Sequence, residues 1–156
     1  MNNFINPIDS LIAVIILAIV AIGVNSGAII ESKKNITIIL SSFISSFIFH
    51  YVTIINSDTM NFLFFTIMLI VFLFIIGFIC DLVLRIIPAI HIDKDSDKLV
   101  GGILGLSKGL IIISILIFSI ELTPIQENLK NKLFNQAKKD STLFNVCDKI
   151  KDFVIY

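Results

Sequence analysis

Residues 62–80 carry no charged side chain, and a run of that length is what an α-helix needs to cross the hydrocarbon layer of a bilayer. Inside lipid the backbone amides must be satisfied within the segment, so a run of this kind imposes a helical architecture. Three other stretches share its character, and they leave only short polar links between them. The composition agrees: 56% of the 156 residues are hydrophobic and the mean hydropathy is +0.99. The expected fold class is therefore all-α, an integral membrane bundle of four transmembrane helices at about 8–28, 36–55, 62–84 and 99–120. These spans form one unit over residues 1–122. Residues 123–156 form a C-terminal amphipathic tail.

Polar residues punctuate this plan. Asn6 and Pro7 read as the cap and first position of a helix, with Asp9 close to the free amides of the first turn. No Lys or Arg precedes Lys33, so the basic segment of a cleaved signal peptide is missing and the first apolar run reads as a retained, short helix. Glu31, Ser32, Lys33, Lys34 and Asn35 make the first polar break. Ser41, Ser42, Ser45 and Ser46 then give the second helix a small polar face, suited to tight helix contact with the hydroxyls bonded one turn back, or to lining a water path. Asp81 and Arg85 stand four apart at the end of the third helix, and Asp81 has Lys108 as an alternative partner. Pro88 ends that helix. In the tail, Ile125, Leu129, Leu133, Phe134 and Ala137 recur opposite lysines, and Leu143, Cys147, Ile150 and Val154 repeat the pattern. One or two amphipathic helices follow, lying on the membrane surface or against the bundle.

The entry to the fourth span is the most informative stretch. Gly101, Gly105 and Gly109 fall four apart and leave a strip of helix without side chains, against which another backbone can pack. Asp97, Gly101, Gly105 and Lys108 share roughly a quarter of the circumference at about 100° per residue. Lys108 lies deep if the helix enters lipid near Leu99, where a lysine faces protein, water or a counter-ion. If the span starts later, the long stem carries its ammonium back to the headgroups.

This pattern resembles the CvpA family, the colicin V production proteins. Asp97, Lys98, Gly101, Gly105, Lys108 and Gly109 carry the likeness, supported upstream by Asp9, Gly27 and Glu31. The basic-glycine-aromatic triplet common in the family is Ser26-Gly27-Ala28 here, so the resemblance carries over no role for that basic and aromatic pair. The resemblance implies a multi-pass protein of the bacterial inner membrane, linked to toxin production and more loosely to envelope homeostasis. It implies no chemical activity. Asp9, Gly27, Glu31, Asp97, Gly101, Gly105, Lys108 and Gly109 are thus the candidate functional or helix-packing residues.

Other classes find little support. Net charge is zero and the lysines of the tail are interspersed with acids, so a nucleic-acid footprint is missing. Cys80 and Cys147 lack metal or redox spacing and read as two free thiols. Asp93, Asp95 and Asp97 imitate the opening of a calcium loop, but Lys98 stands where its glycine belongs and Leu104 where its glutamate belongs. The expectation is no catalytic residue, no metal and no cofactor. The partners expected are the lipid bilayer and either another membrane protein or further copies of the chain. A small transporter or channel subunit, with a polar path around Lys108, is the alternative.

Overall fold

A computed structural model describes residues 6–52, 58–86, 93–123 and 125–155. Among these residues the chain is all-α, with six helices: α1 Pro7–Ser26, α2 Ala28–Val52, α3 Asp58–Ile86, α4 Lys94–Leu122, α5 Glu127–Asp140 and α6 Thr142–Ile155. Pro88 and most of the connection after it lie outside the described residues.

Helix α1 starts as its sequence dictates, with Ile8 N donating to Asn6 Oδ1 at 3.0 Å and Pro7 at the first position. It ends at Gly27, whose φ of +83° belongs to the left-handed side of the map that glycine tolerates. One residue suffices for the turn, and α2 begins at Ala28. Glu31, Lys33, Lys34 and Asn35 therefore lie inside a helix, where the sequence led us to expect a polar break between spans. Charge alone places the break at 31–35, whereas the backbone turns at Gly27, where the Gly27-to-Glu31 match to the family layout puts it.

Among the described residues three helices, α1, α3 and α4, are long and apolar enough to cross a membrane. The expectation of four spans is corrected to three. Residues 36–55 fall largely within α2, whose 25 residues are long enough but are diluted by the charges of the first turns and the four serines of the middle. Its polar face turns inward: Ser41, Ser42 and Ser45 are fully buried.

The packing has a simple order. α1 and α4 are antiparallel, with Gly27 beside Asp97, Gly23 beside Gly101 and Ile16 beside Gly109. α2 runs along α4 in the same direction, from Asn35 at Leu104 to Phe49 at Phe118. α3 returns antiparallel to α2, placing Asp81 at Lys33, Gly77 at Thr37 and Phe65 at Phe49. The outer face of α3 is left open, with Ile67, Phe74, Phe78 and Ile86 between 58% and 82% exposed, which is the surface lipid would cover. Between α2, α3 and α4 lies a cavity of about 260 Å³ with an almost wholly apolar lining that includes Ile38, Leu73 and Ile112.

Both tail helices form, and they differ. α6 is seated on α1, α2 and α4, where Phe144 and Cys147 join Ile12, Ile16, Ile113 and Ile117 in one apolar cluster. α5 contributes Ala137 to that cluster but leaves Leu129 and Leu133 more than half exposed. The buried side of α6 also differs from the apolar period of its sequence. Phe144, Cys147, Asp148 and Lys151 are buried, whereas Leu143 and Ile150 are only partly so. Two charged residues accompany the apolar ones because the bundle supplies their partners.

Candidate functional site

The candidate residues from the sequence converge on two places. The first is the junction of the α1–α2 turn with the N-terminal half of α4. Glycines set its spacing: a β-carbon on Gly101 would lie 2.5 Å from Gly23 O, and one on Gly105 would lie 3.0 Å from Ile19 O. The strip of α4 without side chains is therefore occupied by α1 of the same chain. Gly109 is looser, since a β-carbon there would meet Ile16 at an ordinary 3.5 Å.

Close approach brings the polar groups together. Ala28 N, a free amide at the start of α2, donates to Asp97 Oδ1 at 2.7 Å, so a carboxylate 69 residues away in sequence caps this helix. A β-carbon on Gly27 would collide with the same carboxylate. One turn further on, Glu31 is fully buried and pairs with Lys108, whose side chain is 8% exposed, and with Lys34 at 2.7 Å. The Lys108 stem runs back toward the start of α4, the direction in which helical side chains lean. It reaches a buried counter-ion, so Lys108 pairs with Glu31 and its alternative partner Asp81 pairs with Lys33 instead. Asn35 completes the junction by donating to Leu104 O at 2.8 Å and accepting from Ser107 Oγ at 3.4 Å.

Asp9 belongs to a second place, at the far end of α1. The sequence puts it near the amides of its own helix, but its carboxylate accepts from Ser141 Oγ, from Leu143 N at 3.0 Å and from Thr142 N at 3.3 Å. It caps α6, as Asp97 caps α2. Ser141 Oγ in turn accepts from Phe144 N at 3.0 Å. Beyond it, Lys151 bonds Glu121 at 2.6 Å and Asp148 at 3.0 Å, and Lys138 of α5 bonds Asp148 at 2.8 Å. Burial opposes the charge on Lys151, but the bonds to Glu121 and Asp148 overcome it and raise the ammonium above its ordinary range. Burial alone pushes the Cys147 thiol up to about 11.

Sequence reasoning missed Lys34, Asn35, Glu121, Asp148 and Lys151. Lys34 was legible as the residue three after Glu31 on a helix, and Glu121 as an acid in the last turn of a span. Lys151 carried a fainter signal, standing four after Cys147 on the side that the bundle covers.

The arrangement can clamp helices, since the acids and bases at the two junctions face partners of the same chain. Among the described residues, no group of three or more His, Cys, Asp or Glu is placed to hold a metal ion. Both cysteines are free. No curated protein and no solved structure matches the chain. The family model described as colicin V production protein matches residues 8–152, and the chain belongs to that family.

Proposed function

We propose that this is a non-enzymatic, multi-pass protein of the bacterial inner membrane that supports colicin V production, or envelope maintenance more broadly, through contacts with other membrane proteins. The observation that carries the reading is the division of labour between polar and apolar groups. Of the charged residues marked by the family resemblance, Glu31 pairs with Lys108 and Asp97 caps α2 within the bundle, while α3 leaves a row of large apolar side chains exposed. A protein built this way is held in one shape by its charges and offers its apolar face to neighbours.

The test is toxin secretion from cells in which this chain is the sole copy of its kind. Phe74→Asn with Phe78→Asn on the open face of α3 is expected to lower secretion while the purified protein keeps its melting temperature. Normal secretion from that double variant would overturn the reading.

One observation favours a small transporter or channel subunit. Thr37, Ser41 and Ser45 are buried at intervals of four on α2, and their hydroxyls have no hydrogen-bond partner among the described residues. Such a row suits a polar path, although Thr37 packs toward α3, where a β-carbon on Gly77 would meet its methyl at 3.7 Å. Solute flux into liposomes that Ser41→Ala with Ser45→Ala abolishes would favour it over the first reading.

A further inference from the structure

Helix α5 has one face on the protein and one without a protein partner. Ala137 is buried against the bundle and Phe134 stacks edge-on with Phe144 at 5.6 Å, which fixes the inner side. Leu129 and Leu133, one turn apart, are 54% and 55% exposed, and Ile125 just before the helix is 42% exposed. At about 100° per residue, Lys132 and Lys139 fall roughly 20° from each other and border the leucine pair. Neither lysine makes a hydrogen bond or ion pair among the described residues, whereas Lys138 is engaged by Asp148 and Lys130 by Thr123 O at 3.4 Å. The helix as a whole has four lysines against Glu127 and Asp140.

Position adds to pattern. Only residues 123–126 separate α5 from Leu122, the last residue of a helix able to cross the membrane. The bond from Lys130 back to Thr123 lays the first turn of α5 against that end. A helix tied so closely to the end of a crossing lies in or beside the headgroup layer, which is only several ångströms deep. Exposed leucines flanked by unpaired lysines are what an anionic lipid surface recognises: the leucines enter the acyl boundary and the ammonium groups meet phosphates.

We propose that α5 is an interfacial helix that binds anionic phospholipid, with Leu129 and Leu133 inserted and Lys132 and Lys139 on the headgroups. The chain contains no tryptophan, so Leu133→Trp supplies a single reporter in the full-length protein. The experiment compares it in vesicles of phosphatidylcholine alone and of phosphatidylcholine mixed with phosphatidylglycerol. The expected result is blue-shifted emission and roughly twofold weaker quenching by iodide in the anionic vesicles, a difference that shrinks as salt is raised. Lys132→Gln with Lys139→Gln should abolish the difference between vesicles. Both lysines are exposed, so the bundle should keep its circular dichroism and melting temperature in that variant. Leu129→Trp serves as a second reporter on the same face. Equal emission and quenching in the two vesicles would overturn the proposal and leave the face to a protein. A lipid difference that survives loss of both lysines would overturn it as well.

Discussion

The two halves of α4 hold their neighbours by different means. In its N-terminal half, Gly101 and Gly105 let the backbone of α1 come into contact, and Asp97 and Lys108 then find Ala28 N and Glu31 at short range. In its C-terminal half, side chains hold α6: Ser114 Oγ donates to Cys147 O at 2.8 Å, Glu121 bonds Lys151, and Asp9 of α1 caps the helix. Both halves use a distant carboxylate as a helix cap and a lysine paired with an acid. They differ in what sets the distance. Backbone contact cannot adjust to a new side chain, whereas a dock made by long side chains can, so the first junction should tolerate less change.

The largest effect should come from leaving Glu31 buried without its base. Lys108→Met removes one partner of a buried pair, a change that typically costs about 3–5 kcal/mol. Lys34, whose side chain is 40% exposed, can compensate only in part. Adding Glu31→Gln to Lys108→Met should recover much of the loss, because no unpaired charge then remains. Thermal unfolding in detergent micelles measures both. If Lys108→Met alone melts like the parent, the first junction is not the rigid one.

Next come the glycines. Gly101→Val places methyl groups against Gly23 O, and the obstacle is backbone on both sides, so a loss of about 3 kcal/mol is expected. Gly109→Ala should be close to neutral, since its neighbours stand at ordinary contact distance. The same melting measurement separates them. Equal melting of the two variants would deny that α4 is gripped more tightly at Gly101 than at Gly109.

Much of this first junction was legible in the sequence. The spacing of Gly101, Gly105 and Gly109 announced a surface for close approach, and the depth of Lys108 left a counter-ion as one of its readings beside a stem that reaches the headgroups. The identity of the helix that fills the groove was not legible, because small residues facing small residues specify distance and not address. The start of α2 was misread for a related reason: Glu31, Lys33 and Lys34 look like a solvated loop until Lys108 is known to meet Glu31 and Asp81 to meet Lys33. The dock of α6 was less visible still. Lys151 and Asp148 break the apolar period that sequence reading follows, and Asp9 had an adequate local role beside Pro7.

Asp9→Asn tests the second junction with a smaller effect. It removes the charge and leaves one acceptor oxygen where two bonded the free amides of α6 and Ser141, a weakened cap that costs about 1 kcal/mol. Cys147 reports the outcome, being fully buried in the docked helix. With Cys80→Ser in the background, maleimide should label Cys147 several-fold faster in the Asp9→Asn variant while the melting of the bundle changes little. Unchanged labelling would show that α6 is held without its cap.

The smallest effect is the pH dependence of the same dock, and its sign follows from the two groups at its centre. Burial opposes ionisation of Asp148, but hydrogen bonds from Lys138 and Lys151 overcome it and hold the carboxyl below its ordinary 3.8. A lowered folded value means that Asp148 stabilises the docked helix above about pH 4 and stops doing so as pH falls through that lower value. The raised value of Lys151 works in the other direction. Its contribution is complete below 10.5 and is lost as pH rises through the folded value. Docking should therefore be flat across the neutral range and loosen first on the acid side. Hydrogen exchange of residues 142–151, corrected for intrinsic rates, should quicken as pH falls below about 4, ahead of residues 101–109 in the glycine junction. Asp148→Asn should show part of that quickening already at neutral pH and a shallower acid limb. The Glu121 carboxylate also bonds Lys151, so part of the dock remains in that variant. Two regions that loosen together would mean that α6 and the glycine junction form one cooperative unit, and the contrast between backbone and side-chain contact would then have no energetic consequence.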